Sequence, residues 1–329
     1  MPDRRWALAA ALFLLWAGPT VAMTFVSFDP PGSYDTYPAS INKEGKIVGY
    51  YNDEHIRGHA FLRAPNGAIT LLSVPVSSES RAVDINDQGW ISGWYQIGGH
   101  ISAFLLSPSG TLATYSVAGA PTTYPGAANA SGAVAGSWVD RKGDNHGFVR
   151  EPDGTIKTFD PPVSTYTSAS GIDDKGEIFG YILDSSRVGY GYVRSPSGKF
   201  TCFDPPNSND TLTYAMTQRG VAAGSFLSST ANRTEGFVRS ISGAIATFAL
   251  TPPDTEESST YGVNNGGDTT GYFIDVSGVW QLFVHAAGGG AKGYSPFGAS
   301  QATGTAINDK GVVVGNYLTK SSHGFIGTP

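Results

Sequence analysis

The residue least at home among its equivalents in this chain is Asp84. In segments that otherwise read alike, the matching positions hold Ser40, Ala127, Gly171, Ala215, Gly262 and Ala306, all small and uncharged. A carboxylate in such company needs a partner, and Arg81 is the candidate; the alternative is a solvated or locally paired side chain. At or just before the start of the same segments stand Tyr37, Arg81, Tyr124, Tyr166, Tyr214 and Tyr261. Tyrosine joins an apolar face to a polar tip, which suits stacking against a sugar or a peptide. The same residues suit packing between neighbouring structural units. Together with Asp84 these six are the candidate binding residues.

Other chemistries find less support. Hydrolysis or elimination on a polysaccharide needs two carboxylates across a cleft, or a metal with a base. Asp84, Asp140, Asp184, Asp275 and Glu257 supply the residue types, but nothing in their spacing brings them together. No Ser-His-Asp order, HExxH or phosphate loop is present. His59, His146 and His323 occupy one repeated column, in which Ser102, Tyr190, Glu235 and Gln281 also stand. Zinc needs three or four ligands converging on one point, and these His belong to separate repeats, so strand packing or a surface hydrogen bond is expected. The recurring Asn-x-x-Gly segments, such as Asn86-Asp87-Gln88-Gly89, lack the alternating oxygens and late Glu of a calcium loop and read as hairpin turns. Cys202 is the single cysteine, so no intrachain disulfide can form, and its column holds Ser27 and Thr158 elsewhere. No catalytic residue, metal site or cofactor is expected.

The element that must position the candidates is a repeat. Residues 167–206 contain four short β-rich runs, rich in the β-branched and aromatic types that suit a pleated surface. Asp173-Asp174-Lys175-Gly176 and Ser195-Pro196-Ser197-Gly198 separate them as tight turns, and Asp204-Pro205-Pro206 ends the last. A glycine inside the second run recurs at Gly49, Gly93, Gly136, Gly180, Gly224, Gly271 and Gly315, at spacings of 44, 43, 44, 44, 47 and 44 residues. A period of about 40 to 50 residues with four strands per unit predicts a propeller blade. The last copy stops after its third strand, His323-Gly324-Phe325-Ile326, while a lone fourth strand, Thr24 to Pro31, precedes the first copy. The expectation is an all-β, seven-bladed β-propeller with four antiparallel strands per blade over residues 23–329. The N-terminal strand would complete the last blade and close the ring.

The His-Ala-Phe triplet at His59, the His-Gly-Phe triplets at His146 and His323, the Ile-Asn-Asp-x-Gly turn and the following Val-Gly-x-Tyr strand resemble the extracellular HAF-type repeat family. The likeness extends over nearly all of residues 23–329, with Ser102, Tyr190, Glu235 and Gln281 departing from the triplet. The resemblance implies an exported repeat protein and brings no catalytic residues.

Met1 to Arg5 is charged, Trp6 to Gly18 is almost wholly apolar, and Thr20-Val21-Ala22 offers small or short residues before a cut. Residues 1–22 therefore read as a secretory signal peptide, too short for a comfortable transmembrane helix of about 20 residues. The expected location is secreted or periplasmic, with no membrane insertion after cleavage. The net charge is −6, which disfavours nucleic acid. Variable connections fall on one face of the predicted ring, and variable loops on a rigid scaffold are where binding resides. The leading expectation is a monomeric interaction module for an extracellular glycan, peptide or protein. A structural matrix or surface protein, and a polysaccharide lyase or hydrolase at the channel mouth, are the alternatives.

Overall fold

The computed structural model describes residues 22–75, 77–162, 164–249 and 257–329. The leader expected over residues 1–22 lies outside them, apart from Ala22. Among the described residues 28 strands form seven blades of four. The blade first recognised in the sequence comprises Tyr166–Ile172, Ile178–Leu183, Gly189–Arg194 and Phe200–Phe203, paired antiparallel in that order. Its inner strand begins at Tyr166, one residue before the 167–206 repeat bounded in the sequence, because Tyr166 pairs with Leu183 across the ladder.

The seven inner strands are Asp35–Ile41, Glu79–Ile85, Thr122–Ala128, Tyr166–Ile172, Ser208–Met216, Glu257–Val263 and Gln301–Ile307. Each carries a β-bulge near its C-terminal end, between Pro38 and Ser40 in the first blade and between Ala82 and Asp84 in the second. The bulge explains the recurring glycine. At Gly49 the carbonyl of Tyr37 occupies the space a Cβ would need, and at Gly180 the carbonyl of Ser168 does the same. Any side chain there would push the inner strand off its neighbour.

The core lies between blades. Phe61, Phe104, Phe148, Tyr192, Phe237, Phe283 and Phe325 form one column of third-strand residues, all fully buried. Burying each such ring stabilises the fold by roughly 1.5–3 kcal/mol. Arg63, Arg150, Arg194 and Arg239 lie over Phe28, Tyr115, Phe159 and Phe203 of the preceding blade at 4.8–5.2 Å, so cation–π contacts tie the rims together.

The first turn of each blade adds a second fastening. Asn86 Oδ1 accepts the N–H groups of Gln88 and Trp90, at 3.0 Å each, which closes its own turn. Its Nδ2 donates to the Asn129 carbonyl of the next blade at 2.9 Å. Asn42, Asn129, Asn264 and Asn308 repeat this reach to the following blade at 3.1–3.3 Å. Asp173 and Thr217 hold the same position in blades four and five and supply no such donor.

Ring closure follows the expectation. Thr24–Phe28 pairs antiparallel with Ser322–Thr328, Thr24 opposite Thr328 and Phe28 opposite Gly324. Asn308 Nδ2 bonds the Asn42 carbonyl at 3.1 Å, and Asp35 Oδ1 accepts the Ser322 N–H at 2.8 Å. The last blade is thereby joined to the first by the same Asn clamp that fastens four other seams.

Candidate functional site

The bulges decide which side chains enter the channel. A regular strand alternates its faces, but the extra residue turns the positions around Asp84 toward the axis. A central cavity of about 220 Å³ results. It runs from Tyr214 and Tyr261 down to the first-turn residues Lys43, Asp87, Gln218, Asn265 and Asp309, and Asp84 lines it. Of the seven candidate residues, Asp84, Tyr214 and Tyr261 meet in this cavity. Tyr37, Arg81, Tyr124 and Tyr166 do not line it.

Asp84 accepts a hydrogen bond from the Ser40 hydroxyl at 2.8 Å. Burial raises its pKa, and the bonds from Ser40 and from the N–H groups of Ile85 and Ala128 only partly offset that. The expected pairing with Arg81 is corrected. Arg81 instead clamps Glu79, with Nη2 at 2.6 Å and Nε at 2.8 Å from Oε1. Glu79 is two residues away on the same strand face, whereas Asp84 lies beyond the bulge and faces the cavity.

At the opposite end of the inner strands the remaining candidates form an aromatic rim. One arc crosses the first three blades. Tyr37 stacks on Tyr50 at 4.9 Å, and the Arg81 guanidinium lies between Tyr50 and Trp94 at 4.1 and 5.0 Å from their centroids. Trp94 meets Tyr124 edge-on at 5.9 Å. A second arc crosses blades four to six, with Tyr166 against Tyr181, Tyr181 against Tyr214, and Tyr214 against Tyr261 at 5.7–6.3 Å. It continues through Tyr272 to Trp280, which stack at 4.6 Å. Burial pushes the Tyr214 phenol up to about 12, and Tyr181 and Tyr272 are also raised by burial. These rings stay neutral donors at ordinary pH. Tyr124 and Tyr261 are 38% and 37% exposed and are the most accessible ring of each arc.

Tyr50, Trp94, Tyr181, Tyr272 and Trp280 were not singled out by the sequence reading. A signal was available, because the first four each follow the recurring glycine directly. Cross-strand register then sets Tyr50 opposite Tyr37 and Trp94 opposite Arg81.

Four aspartates on this face are committed to turns. Asp53, Asp140, Asp184 and Asp275 each accept the N–H groups two and four residues on, at 2.7–3.1 Å, and so close the connections between second and third strands. The Arg57 N–H and the His59 side chain pull Asp53 down to about 2. The connections differ in sequence yet four of them share this one turn device. Glu257 accepts the Tyr272 hydroxyl at 2.8 Å. The five carboxylates weighed for catalysis are thus dispersed over turns, rim and cavity.

The histidine column is a surface fastening, as read. His146 Nδ1 meets Asp160 Oδ2 and His323 Nδ1 meets Asp29 Oδ2, both at 2.8 Å, while His59 Nε2 meets Asp53 Oδ2 at 3.1 Å. Asp29 and Asp160 also take the hydroxyls of Thr36 and Thr167 at 2.6 and 2.8 Å, linking third strand, outer connection and next blade. Among the described residues no group of three or more His, Cys, Asp or Glu is placed to hold a metal ion. Cys202 is a free, exposed thiol on an outer strand.

No family model and no curated protein matches this sequence. Solved structures do match in shape. A streptogramin B lyase superposes with a TM-score of 0.62 at 15% identity, covering 92% of this chain and 97% of that one. A catalytically inactive virginiamycin B lyase from Staphylococcus aureus with quinupristin gives 0.62 at 15%, covering 94% and 100%. The β-propeller domain of the Trilobed protease from Pyrococcus furiosus gives 0.63 at 11%, covering 89% and 95%. That domain has an open velcro topology, whereas here the N-terminal strand pairs with the last blade. At such identities the likeness is one of fold, and the fold of this chain is a seven-bladed β-propeller.

Proposed function

We propose that the protein is an exported binding module whose aromatic rim receives an extracellular glycan. The observation that carries the reading is the double arc of stacked and edge-to-face rings at the loop-face mouth. Tyr37, Tyr50, Arg81, Trp94 and Tyr124 form one continuous ladder across three blades. Its members are immobilised before any ligand arrives, so little side-chain entropy remains to be lost on binding. Flat faces with hydroxyl, guanidinium and carboxylate tips suit pyranose rings, which present an apolar face and a polar edge.

Binding is favoured over catalysis because Asp140, Asp184 and Asp275 are committed to their turns and Arg81 to Glu79. The apolar leader and the resemblance to HAF-type extracellular repeats support export. Calorimetric titration of residues 23–329 with a panel of neutral and acidic oligosaccharides tests the reading. Trp94→Ala and Tyr124→Ala should each weaken the best binder by about 1–3 kcal/mol, the range for loss of an aromatic anchor. A panel without a binder, or a binder indifferent to both substitutions, would overturn it.

A further inference from the structure

The central cavity opens below the rim and shares Tyr214 and Tyr261 with its second arc, but its chemistry points to a different ligand. Its volume of about 220 Å³ exceeds the roughly 150 Å³ that admits benzene, yet falls short of the about 300 Å³ at which drug-sized pockets begin. A molecule of a few heavy atoms fits and an oligosaccharide does not.

Charge selects the class. Three carboxylates, Asp84, Asp87 and Asp309, line the cavity against one basic side chain, Lys43. Asp87 Oδ1 is taken by the Lys43 N–H at 2.8 Å, and both Asp309 oxygens by Asn265 at 2.8 and 2.9 Å. Asp84 is different. It lies deepest of the three, and its partners, the Ser40 hydroxyl and two backbone N–H groups, are all neutral. The nearest arginine in sequence, Arg81, is held on Glu79. A partly buried carboxylate without a cation beside it is costly when ionised, and burial accordingly raises its pKa. Across the cavity stand Tyr214 and Tyr261, in edge-to-face contact at 5.7 Å. Phenol rings attract cations through their faces, more strongly where water is excluded.

We propose that the central cavity binds a small organic monocation, a protonated or quaternary amine, with its charge paired to Asp84 and its carbon groups against Tyr214 and Tyr261. The inference goes beyond the glycan reading and does not depend on it. The small-residue column of Ser40, Ala127, Ala215, Gly262 and Ala306 leaves the room, and the Asp at position 84 provides the counter-charge.

The titratable groups that share the cavity with Asp84 are Lys43, Asp87, Asp309, Tyr214 and Tyr261, of which Asp87 adds to the rise in its pKa. Binding therefore competes with one proton on Asp84. Below that pKa the affinity should fall about tenfold per pH unit, and above it the affinity should level off.

Calorimetry on residues 23–329 decides the matter with four probes. These are choline, n-butylammonium, and their neutral counterparts, in which a tert-butyl group replaces trimethylammonium and a hydroxyl replaces ammonium. At least one cation should bind about tenfold or more tightly than its neutral counterpart, a difference of about 1.4 kcal/mol. Asp84→Asn should weaken it by a similar factor, and Tyr124→Ala at the rim should leave it unchanged. Binding of choline alone would identify a quaternary ligand, and of butylammonium alone a primary amine. Neutral and charged probes binding equally, neither cation binding, or an unaltered affinity in a folded Asp84→Asn variant would overturn the proposal. If that variant fails to fold, the native protein still decides, because an affinity that does not change with pH is incompatible with a charge pair to Asp84.

Discussion

Replacing Asp173 with Asn should stabilise the protein, and should do so only above acidic pH. Five blades use an Asn at this turn position, with Oδ1 closing the turn and Nδ2 fastening the next blade. Asp173 keeps the first half of the arrangement. Its Oδ1 accepts the N–H groups of Lys175 and Glu177 at 2.9 and 2.8 Å. Its Oδ2 is buried with no hydrogen-bond partner, and the residue is 0% exposed. By analogy with the Asn129 to Asp173 contact, the group it faces is the Thr217 carbonyl, which only a donor can bond. Burial raises the Asp173 pKa against the opposing pull of the Glu177 and Lys175 N–H groups, with Glu177 adding to the rise and the Lys175 charge to the fall.

The sign follows. A carboxyl whose native pKa lies above its unfolded value gives stability that is fully present below the unfolded value, 3.8. That stability is lost as pH rises toward the native value, by about 1.4 kcal/mol per pH unit in between. Native protein and Asp173→Asn should thus match at acid pH and diverge above 3.8. An unsatisfied buried polar group costs about 1–3 kcal/mol. The next two residues, Asp174 and Lys175, are exposed, so solvent screens the charge and the lower part of the range, about 1–2 kcal/mol, applies at neutral pH. With an unfolding entropy of about 2.1 cal/mol/K per residue over about 300 residues, that is a rise of roughly 2–3 °C in midpoint. Calorimetric or fluorescence-detected melting of both proteins across the acid-to-neutral range is the assay. A variant that melts lower at neutral pH, or a difference that does not change with pH, would refute the reasoning.

Three further outcomes follow from the same packing. Thr217→Asn should fasten the unclamped seam to the sixth blade and raise stability by about 1 kcal/mol, read as a shifted denaturant midpoint with an unchanged slope. Asn86→Ala removes donors to Ala128 and Asn129 and strands the N–H groups of Gln88 and Trp90; the expected loss in the same denaturation assay is about 1–3 kcal/mol. Phe148→Ala empties a fully buried position in the blade-to-blade core and should cost about 3–5 kcal/mol, measurable by urea unfolding.

The ring was legible because its constraints are local and repeated. Gly180 must lack a side chain opposite the Ser168 carbonyl, Gly176 takes φ +82° in its turn, and Pro205-Pro206 cannot extend a ladder. The two glycine rules apply in all seven blades and the Pro-Pro stop in four places, so single departures do not hide the period. The site was legible only in part. Asp84 stood out as a charge in a column of small residues, and the structure puts that column on the cavity. Its assignment to Arg81 failed because two residues apart is one strand face, which gives Arg81 to Glu79. Tyr214 and Tyr261 were grouped with Tyr37 and Tyr124, yet lie deeper, since the bulge displaces the positions beside it. The second-strand aromatics were missed because the rim depends on cross-strand register, Tyr50 opposite Tyr37 and Trp94 opposite Arg81, which emerges only when adjacent strands are aligned.

Hydrogen–deuterium exchange on residues 23–329, with and without the tightest oligosaccharide from the panel, tests the binding face most directly. Protection should fall on the second-strand ends and loops around Tyr50, Trp94, Tyr181 and Tyr272, with the Asn-x-x-Gly turns of the opposite face unchanged. Protection confined to those turns would contradict the account.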